Sequence, residues 1–319
     1  THSDRYPYSE YYSGINYIRN SVKIVIDAYN GDVKFYVIDN EPIIKTFSAI
    51  FPDLFISFEQ MPEGLKKHIR YPEELFKIQS EVYGVYHMTD INVFYNKEDS
   101  WKIPSEIYGE GQEIRMEPYY IVMKLPDEQK SEFLLMTPYA PHGKANMIGW
   151  IAAKSDDEYG KLVVYKFPKE SLIYGPMQIE ARIDQDDEIS KQITLWDQRG
   201  STVVRGNLLV IPIDHSILYI EPLYIIAEKT QLPELKRVIV SYGTKVVMEK
   251  TLDEALRKIF GEDVKEVIEE KKRIVLSEEG ISEAALKYKE IEEAMQLGDW
   301  VAFGNALDEL GEILNARTS

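Results

Sequence analysis

The 319-residue chain has no cysteine. That excludes a disulfide framework, a thiol nucleophile, an iron–sulfur cluster and any zinc site that needs thiolates. Long apolar runs are missing too. The longest, 145–153 and 208–213, have the length of a core strand or helix, well short of the ~18 residues of a membrane helix. Bases are scarce: 37 Lys+Arg stand against 54 Asp+Glu, a net charge of −17. Nucleic acid and anionic lipid are therefore poor main partners, since like charges repel over a Debye length of ~10 Å. The five histidines show no metal-ligand spacing, and no G-x-S-x-G elbow or glycine-rich phosphate loop occurs. Gly109-Glu110-Gly111 is only a fragment of such a loop, and Glu110 would repel phosphate.

What remains is an ordinary globular composition with an excess of tyrosine, 22 Tyr against 11 Phe and 4 Trp. Tyrosine suits half-buried surfaces, where the ring packs and the hydroxyl stays wet. The length predicts about two domains. Residues 262–319 lack proline, are rich in Ala, Leu, Glu and Lys, and carry −8 of the charge. A boundary is placed near Gly261, with a possible second break inside the core at 96–117. The chain starts at Thr1 without an initiator Met, as a processed protein or a fragment of a longer one would.

Val22–Tyr29 and Asp32–Asp39 flank Asn30-Gly31, the pair preferred by a type I′ hairpin turn. Pro42–Phe51, Pro62–His87 and Asp186–Trp196 read as helices, and Leu75, Ile78, Val82 and Val85 share a helical face. Asn96–Glu117 reads as a loop. Strands are expected at Tyr119–Leu125, Phe133–Thr137, Lys161–Phe167, Val203–Ile213, Ile217–Ala227, Arg237–Tyr242 and Lys245–Met248. Pro212 and Pro222 belong at edges or bulges, because proline cannot donate to a ladder. Thr251 and Glu254 have capping-box spacing. In the tail, Ala285, Tyr288, Ile291 and Met295 form one apolar stripe, and Trp300, Phe303, Leu307, Leu310 and Leu314 another. Gly298-Asp299 joins them as an αα-hairpin, preceded by a charged helical linker at Lys265–Arg273. The fold class is α+β: a mixed, mainly antiparallel sheet core with helices, followed by this hairpin.

The chemistry-bearing stretch is Gly175–Asn207. Read as a strand, Gln178, Glu180, Arg182 and Asp184 share one face; Gly175-Pro176 equally starts a helix. Were Arg182, Asp184, Gln198, Arg199, Arg205 and Asn207 to converge, they would offer a polyol or carboxylate a bidentate fork and paired amides. The same residues would serve as a solvent face or a buried arginine network. Asp184, Asp186 and Asp187 could supply oxygens for calcium, or cap a helix. Glu180 and Asp184 make poor glycosidase partners, ~13 Å apart in a strand and direct neighbours in a helix. His87 and Asp90 read as a helix end and the following turn, and Arg70-Tyr71-Pro72-Glu73 as a structural Arg–Glu tie. Tyr6, Tyr8, Tyr11 and Tyr12 form either a sugar-stacking platform or a packed arm.

Several long strings are distinctive. They are Tyr6-Pro7-Tyr8-Ser9-Glu10, Gly14–Val22, Arg70–Lys77, Tyr86–Asp90, Tyr159–Tyr165, Tyr174–Asp186, Arg205–Pro212 and Gly298-Asp299-Trp300. Through them nearly the whole chain resembles uncharacterised protein family 0182, large bacterial membrane proteins. The resemblance implies several N-terminal transmembrane helices followed by an extracytoplasmic region, which this chain would be. It implies a cell-membrane location and the chain's own membrane domain as a partner, and it carries no catalytic residues or cofactor. The expected function is a non-catalytic binding or interaction module, with a protein partner at the C-terminal hairpin. The alternative is a cell-envelope hydrolase using a polar pocket around 175–207.

Overall fold

The computed structural model describes residues 1–126, 128, 130–156, 158–168, 172–198, 200–213, 216–227 and 232–261, with 287–291, 305–307 and 309–310 of the tail. The chain divides into two compact units, 1–246 and 247–319. The first holds several mainly antiparallel sheets with interspersed helices, the α+β class read from the pattern.

Two short strands, β1 (His2–Ser3) and β2 (Tyr17–Ile18), pair near the N-terminus. Strands β3 (Val22–Ile26) and β4 (Val33–Val37) form the expected hairpin. Its turn is not type I′, which needs positive φ at both central residues. Only Gly31 has it (φ 77°), and Asp27 organises a longer connection by accepting from the Tyr29 and Gly31 amides. Helix α1 (Pro42–Ile50) is capped by the Glu41 carboxylate and leads to β5 (Phe55–Ser57), parallel to β4.

The single helix expected at 62–87 is broken into α2 (Glu63–Lys66) and α3 (Glu73–Tyr86). Pro72 disfavours helical backbone at the residue before it, so the chain restarts there. Helix α4 (Ile91–Asn96) is capped by Asp90. The expected loop at 96–117 instead contains β6 (Trp101–Lys102) and a hairpin of β7 (Ser105–Tyr108) with β8 (Gln112–Arg115). The glycines at 109 and 111 form its turn at φ 66° and 96°, conformations that would strain other residues.

Strands β9 (Tyr119–Lys124), β10 (Ser131–Pro141), β11 (Gly149–Lys154) and β12 (Leu162–Lys166) join β6 in one sheet with β10 at its centre. Every residue of β11 is buried, and Trp150 packs with Leu125, Leu134, Met136 and Ala152. Such a two-sided apolar strand lacks alternation, which leaves its type open on sequence.

The strand reading of Met177–Asp184 is corrected: α5 runs Pro176–Gln185. Pro176 occupies the first helical turn, and the Gln178 side chain accepts from the Gly175 amide at 2.9 Å. Burying Ile179 and Ile183 satisfies the helical period, which the accidental alternation hides. A Cβ on Gly175 would lie 1.7 Å from the Ala145 carbonyl oxygen. Gly175→Ala therefore forces the backbone apart and should cost about 2–3 kcal/mol in urea unfolding. Helix α6 (Asp187–Trp196) follows directly, with Asp186 as its cap.

The expected strand at 203–213 is split into β13 (Ser201–Arg205) and β14 (Leu209–Ile213), both paired to β15 (Ser216–Ala227). Pro212 lies on β14, which pairs with β15 alone in the strand order, and Pro222 lies in the gap between β13 and β14 on the central β15. The gap spares the sheet the missing donor, and a register shift against β16 (Pro233–Tyr242) follows at Leu223/Tyr224.

Strand β17 (Lys245–Glu249) crosses the division between the units. In the second unit, Thr251 Oγ1 accepts from the Glu254 amide to start α7 (Leu252–Phe260), which buries Ala255 and Ile259. Lys287 pairs with Glu290 and Glu309 at 2.8 and 2.6 Å. Lys265–Arg273 and most of the hairpin stripes, including Ala285, Met295, Trp300, Phe303 and Leu314, lie outside the described residues.

Candidate functional site

Four of the polar residues singled out in 175–207 converge, Glu180, Asp184, Arg205 and Asn207, joined by Glu106 and Glu221 from elsewhere. Arg205, near the end of β13, donates from Nη1 to Glu180 Oε2 at 2.7 Å and from Nη2 to Asp184 Oδ1. Its Nη1 also lies 3.7 Å from Glu221 Oε1 on β15. Glu180 and Asp184 are one helical turn apart on α5, so a single guanidinium reaches both. Glu106 on β7 closes the cluster, accepting from the Asn207 side chain at 3.0 Å and the Leu208 amide at 2.6 Å. The Ile107 amide donates to Glu180, and Gly109 and Arg205 exchange backbone hydrogen bonds that fix β7 beside β13.

One cation thus faces three carboxyls, Glu180, Asp184 and Glu221, with Glu106 behind them, and Glu106, Glu180 and Glu221 are fully buried. Asp184 is the exposed member, its side chain 58% accessible. Burial pushes Glu180 up to about 7, against the opposing pull of Arg205. Burial, reinforced by the negative Glu180, lifts Glu221 well above the carboxylate range. Burial also raises Glu106, although two N–H donors favour its ionised form. Among the described residues neither Glu221 oxygen has a hydrogen-bond partner.

The other candidates go elsewhere. Arg182 donates to the Gly243 carbonyl at 2.8 Å and covers the Tyr174 ring. Gln198 lies in the turn before β13, where its carbonyl accepts from the Ser201 amide, and Arg199 lies outside the described residues. Asp186 spends its carboxylate on the Glu188 and Ile189 amides, and Asp187 sits in the first turn of α6. Among the described residues no three His, Asp or Glu are arranged to hold a metal ion. His87 ends α3, its Nδ1 3.0 Å from the Tyr83 carbonyl, and Asp90 caps α4.

A second feature escaped the sequence reading. A cleft of about 510 Å³ is lined by Asn20, Ile38, Phe58, Tyr71, Ser155 and Tyr159, among others. The rings of Tyr71 and Tyr159 lie 5.9 Å apart, Asn20 donates to the Tyr159 hydroxyl, and that hydroxyl donates to the Arg70 carbonyl. Lys23 donates to the same carbonyl at 2.9 Å from above the Tyr159 ring, and burial lowers it to about 8. Lys66, Ser155 and Asp156 also border a neighbouring polar cleft of about 580 Å³. The signal was the string Arg70–Glu73, but its expected Arg–Glu tie is replaced by stacking: the guanidinium covers Tyr120 and Phe133. Beside the clefts, the buried Lys154 reaches Glu128, Glu132 and Glu158 at 2.5, 3.1 and 3.0 Å. In the N-terminal arm, Tyr6 stacks on Tyr17 and Tyr12 donates to Glu81, while Tyr8 and Tyr11 are exposed.

The sequence pattern of the Uncharacterised protein family (UPF0182) matches residues 1–196, which include the cleft, Glu106 and Glu180. The chain belongs to that family. Among similar UPF0182 proteins, that of Pelotomaculum thermopropionicum is 53% identical, covering 98% of this chain and 35% of its own length. That of Desulforamulus reducens is 51% identical over 98% and 36%, and that of Methanospirillum hungatei 48% over 99% and 36%. The chain thus spans about a third of the UPF0182 relatives it matches. No solved structure matches it.

Proposed function

We propose that this chain is a non-catalytic, extracytoplasmic binding module of a larger membrane protein, with its ligand in the cleft lined by Tyr71 and Tyr159. One observation carries the ligand site. Its walls are tied together by the Asn20–Tyr159–Arg70 hydrogen bonds, so the cavity exists before a ligand arrives. The membrane setting is supported by the family resemblance and by relatives nearly three times as long. No described helix is long and apolar enough to cross a membrane. The hydrolase alternative has less support, because Arg205 ties up Glu180 and Asp184 instead of leaving them open to a substrate.

Two measurements test the reading. The first titrates the aromatic anion 1-anilino-8-naphthalenesulfonate into the purified chain and follows its fluorescence. Saturable one-site binding is expected, weakened at least tenfold by Lys66→Trp at the cleft mouth; identical binding by both proteins removes the cleft from the proposal. The second adds protease to intact cells carrying the full-length protein. Complete protection of this region until the cells are lysed would refute the extracytoplasmic placement.

A further inference from the structure

The Arg205 cluster cannot hold its full formal charge. Three carboxyls share one guanidinium, a fourth, Glu106, lies buried beside them, and among the described residues neither oxygen of the buried Glu221 is hydrogen-bonded. A buried, unpartnered carboxylate is far costlier than the neutral acid. The groups acting on Glu180 and Glu221 come from each packed element in turn: Asp184 on α5, Glu106 on β7, Arg205 on β13, and each other. Arg205 is the only cation among them. Arg182, also on α5, is turned to Gly243.

We propose that this cluster is a proton-binding latch, in which the protonated Glu221–Glu180 pair leaves Arg205 to hold α5 against β7 and β13, and loss of the proton from Glu221 draws Arg205 to β15 and releases α5. The proton passes from a carboxylic acid to water, leaving a carboxylate, and no other bond changes. Glu221 is buried while Asp184 reaches solvent, so the buried acid exchanges its proton only when α5 moves aside. Proton loss and helix opening are thereby one event. The element that would move is α5, away from β7 and β13, which makes the latch a means for external pH to change the surface of the module.

The sign follows from the raised carboxyls. Between the ordinary Glu range and about 7, the folded chain binds more protons than the unfolded chain. Stability from this cluster is therefore present in mild acid and lost as pH rises through about 7. The test compares the wild-type chain with Glu221→Gln, an uncharged isostere, by urea unfolding and by amide exchange of residues 176–185 at pH 6 and pH 8.5, corrected for intrinsic rates. In wild type the unfolding constant should rise with pH, by up to about tenfold per unit for each proton held, and exchange in α5 should quicken. Glu221→Gln should flatten both responses. Parallel pH profiles in the two proteins would overturn the latch, as would wild-type α5 protection that ignores pH. Should Glu221→Gln fail to fold at either pH, Glu221 acts as a carboxylate and the proposal fails as well. Glu180→Gln gives the second reading, with a shallower slope expected.

Discussion

Arg205→Met should destabilise the chain by about 3–5 kcal/mol at pH 8, read as a shift of the urea midpoint with an unchanged slope. Among the described residues it is the single counter-charge paired with Glu180, Asp184 and Glu221, two of which are buried from water. Removing it leaves uncompensated buried charge, which costs more than the pair itself contributes. The chain can respond by protonating Glu180 and Glu221, so the loss should shrink at pH 5.5. Adding Glu180→Met to Arg205→Met should recover part of it, because an apolar replacement of a buried ion pair is often near neutral. A loss of under about 1 kcal/mol at pH 8 would mean the carboxyls are already neutral without Arg205.

Lys154→Met should cost about 2–4 kcal/mol at pH 7, measured the same way. The side chain is 2% exposed and terminates a wholly buried strand, so its ammonium collects the carboxylates of Glu128, Glu132 and Glu158 instead of water. Without it, Glu132 and the others meet at close range with no cation between them. The cost is smaller than for Arg205 because Glu158 is half exposed and can swing away. Lys161 and Lys154 hold the Glu158 carboxyl below its ordinary range, so the difference should fade only in stronger acid. Substitution with Arg should not restore stability, since a planar fork does not fit a site built around one compact ammonium. The two variants together separate the networks: the Arg205 deficit is largest in mild alkali, whereas the Lys154 deficit is level from pH 6 to 8.

The residues explain which parts of this structure could be read in advance. Helices α1, α6 and α7 were legible because caps and helical periods are set by neighbours within four residues, as with Asp186 and Thr251. Strand β11 and the β7–β8 hairpin were not: one lacks alternation, and the other hides in a polar stretch read as a loop. The 178–184 alternation misled because Gln178 and Arg182 are polar for different reasons, one capping a helix and the other reaching Gly243. Arg205, Asp184 and Asn207 could be picked out as polar residues needing partners. Glu106 and Glu221, which complete their cluster, could not. The one local hint was an acid at 221 in an otherwise apolar strand.

The sequence by itself determined the α+β class, the absence of thiol chemistry, the family, and most helix ends, because each rests on composition or on contacts between near neighbours. Only the tertiary structure decided that Arg205 meets Glu180, Asp184 and Glu221, and that Asn20, Tyr71 and Tyr159 line one cleft. Those groups are separated by 16 residues or more in every case but one, Glu180 and Asp184, which share α5. Their meeting depends on how sheets and helices bury apolar surface. Burial is also what turns an ordinary glutamate into a group that titrates near neutrality.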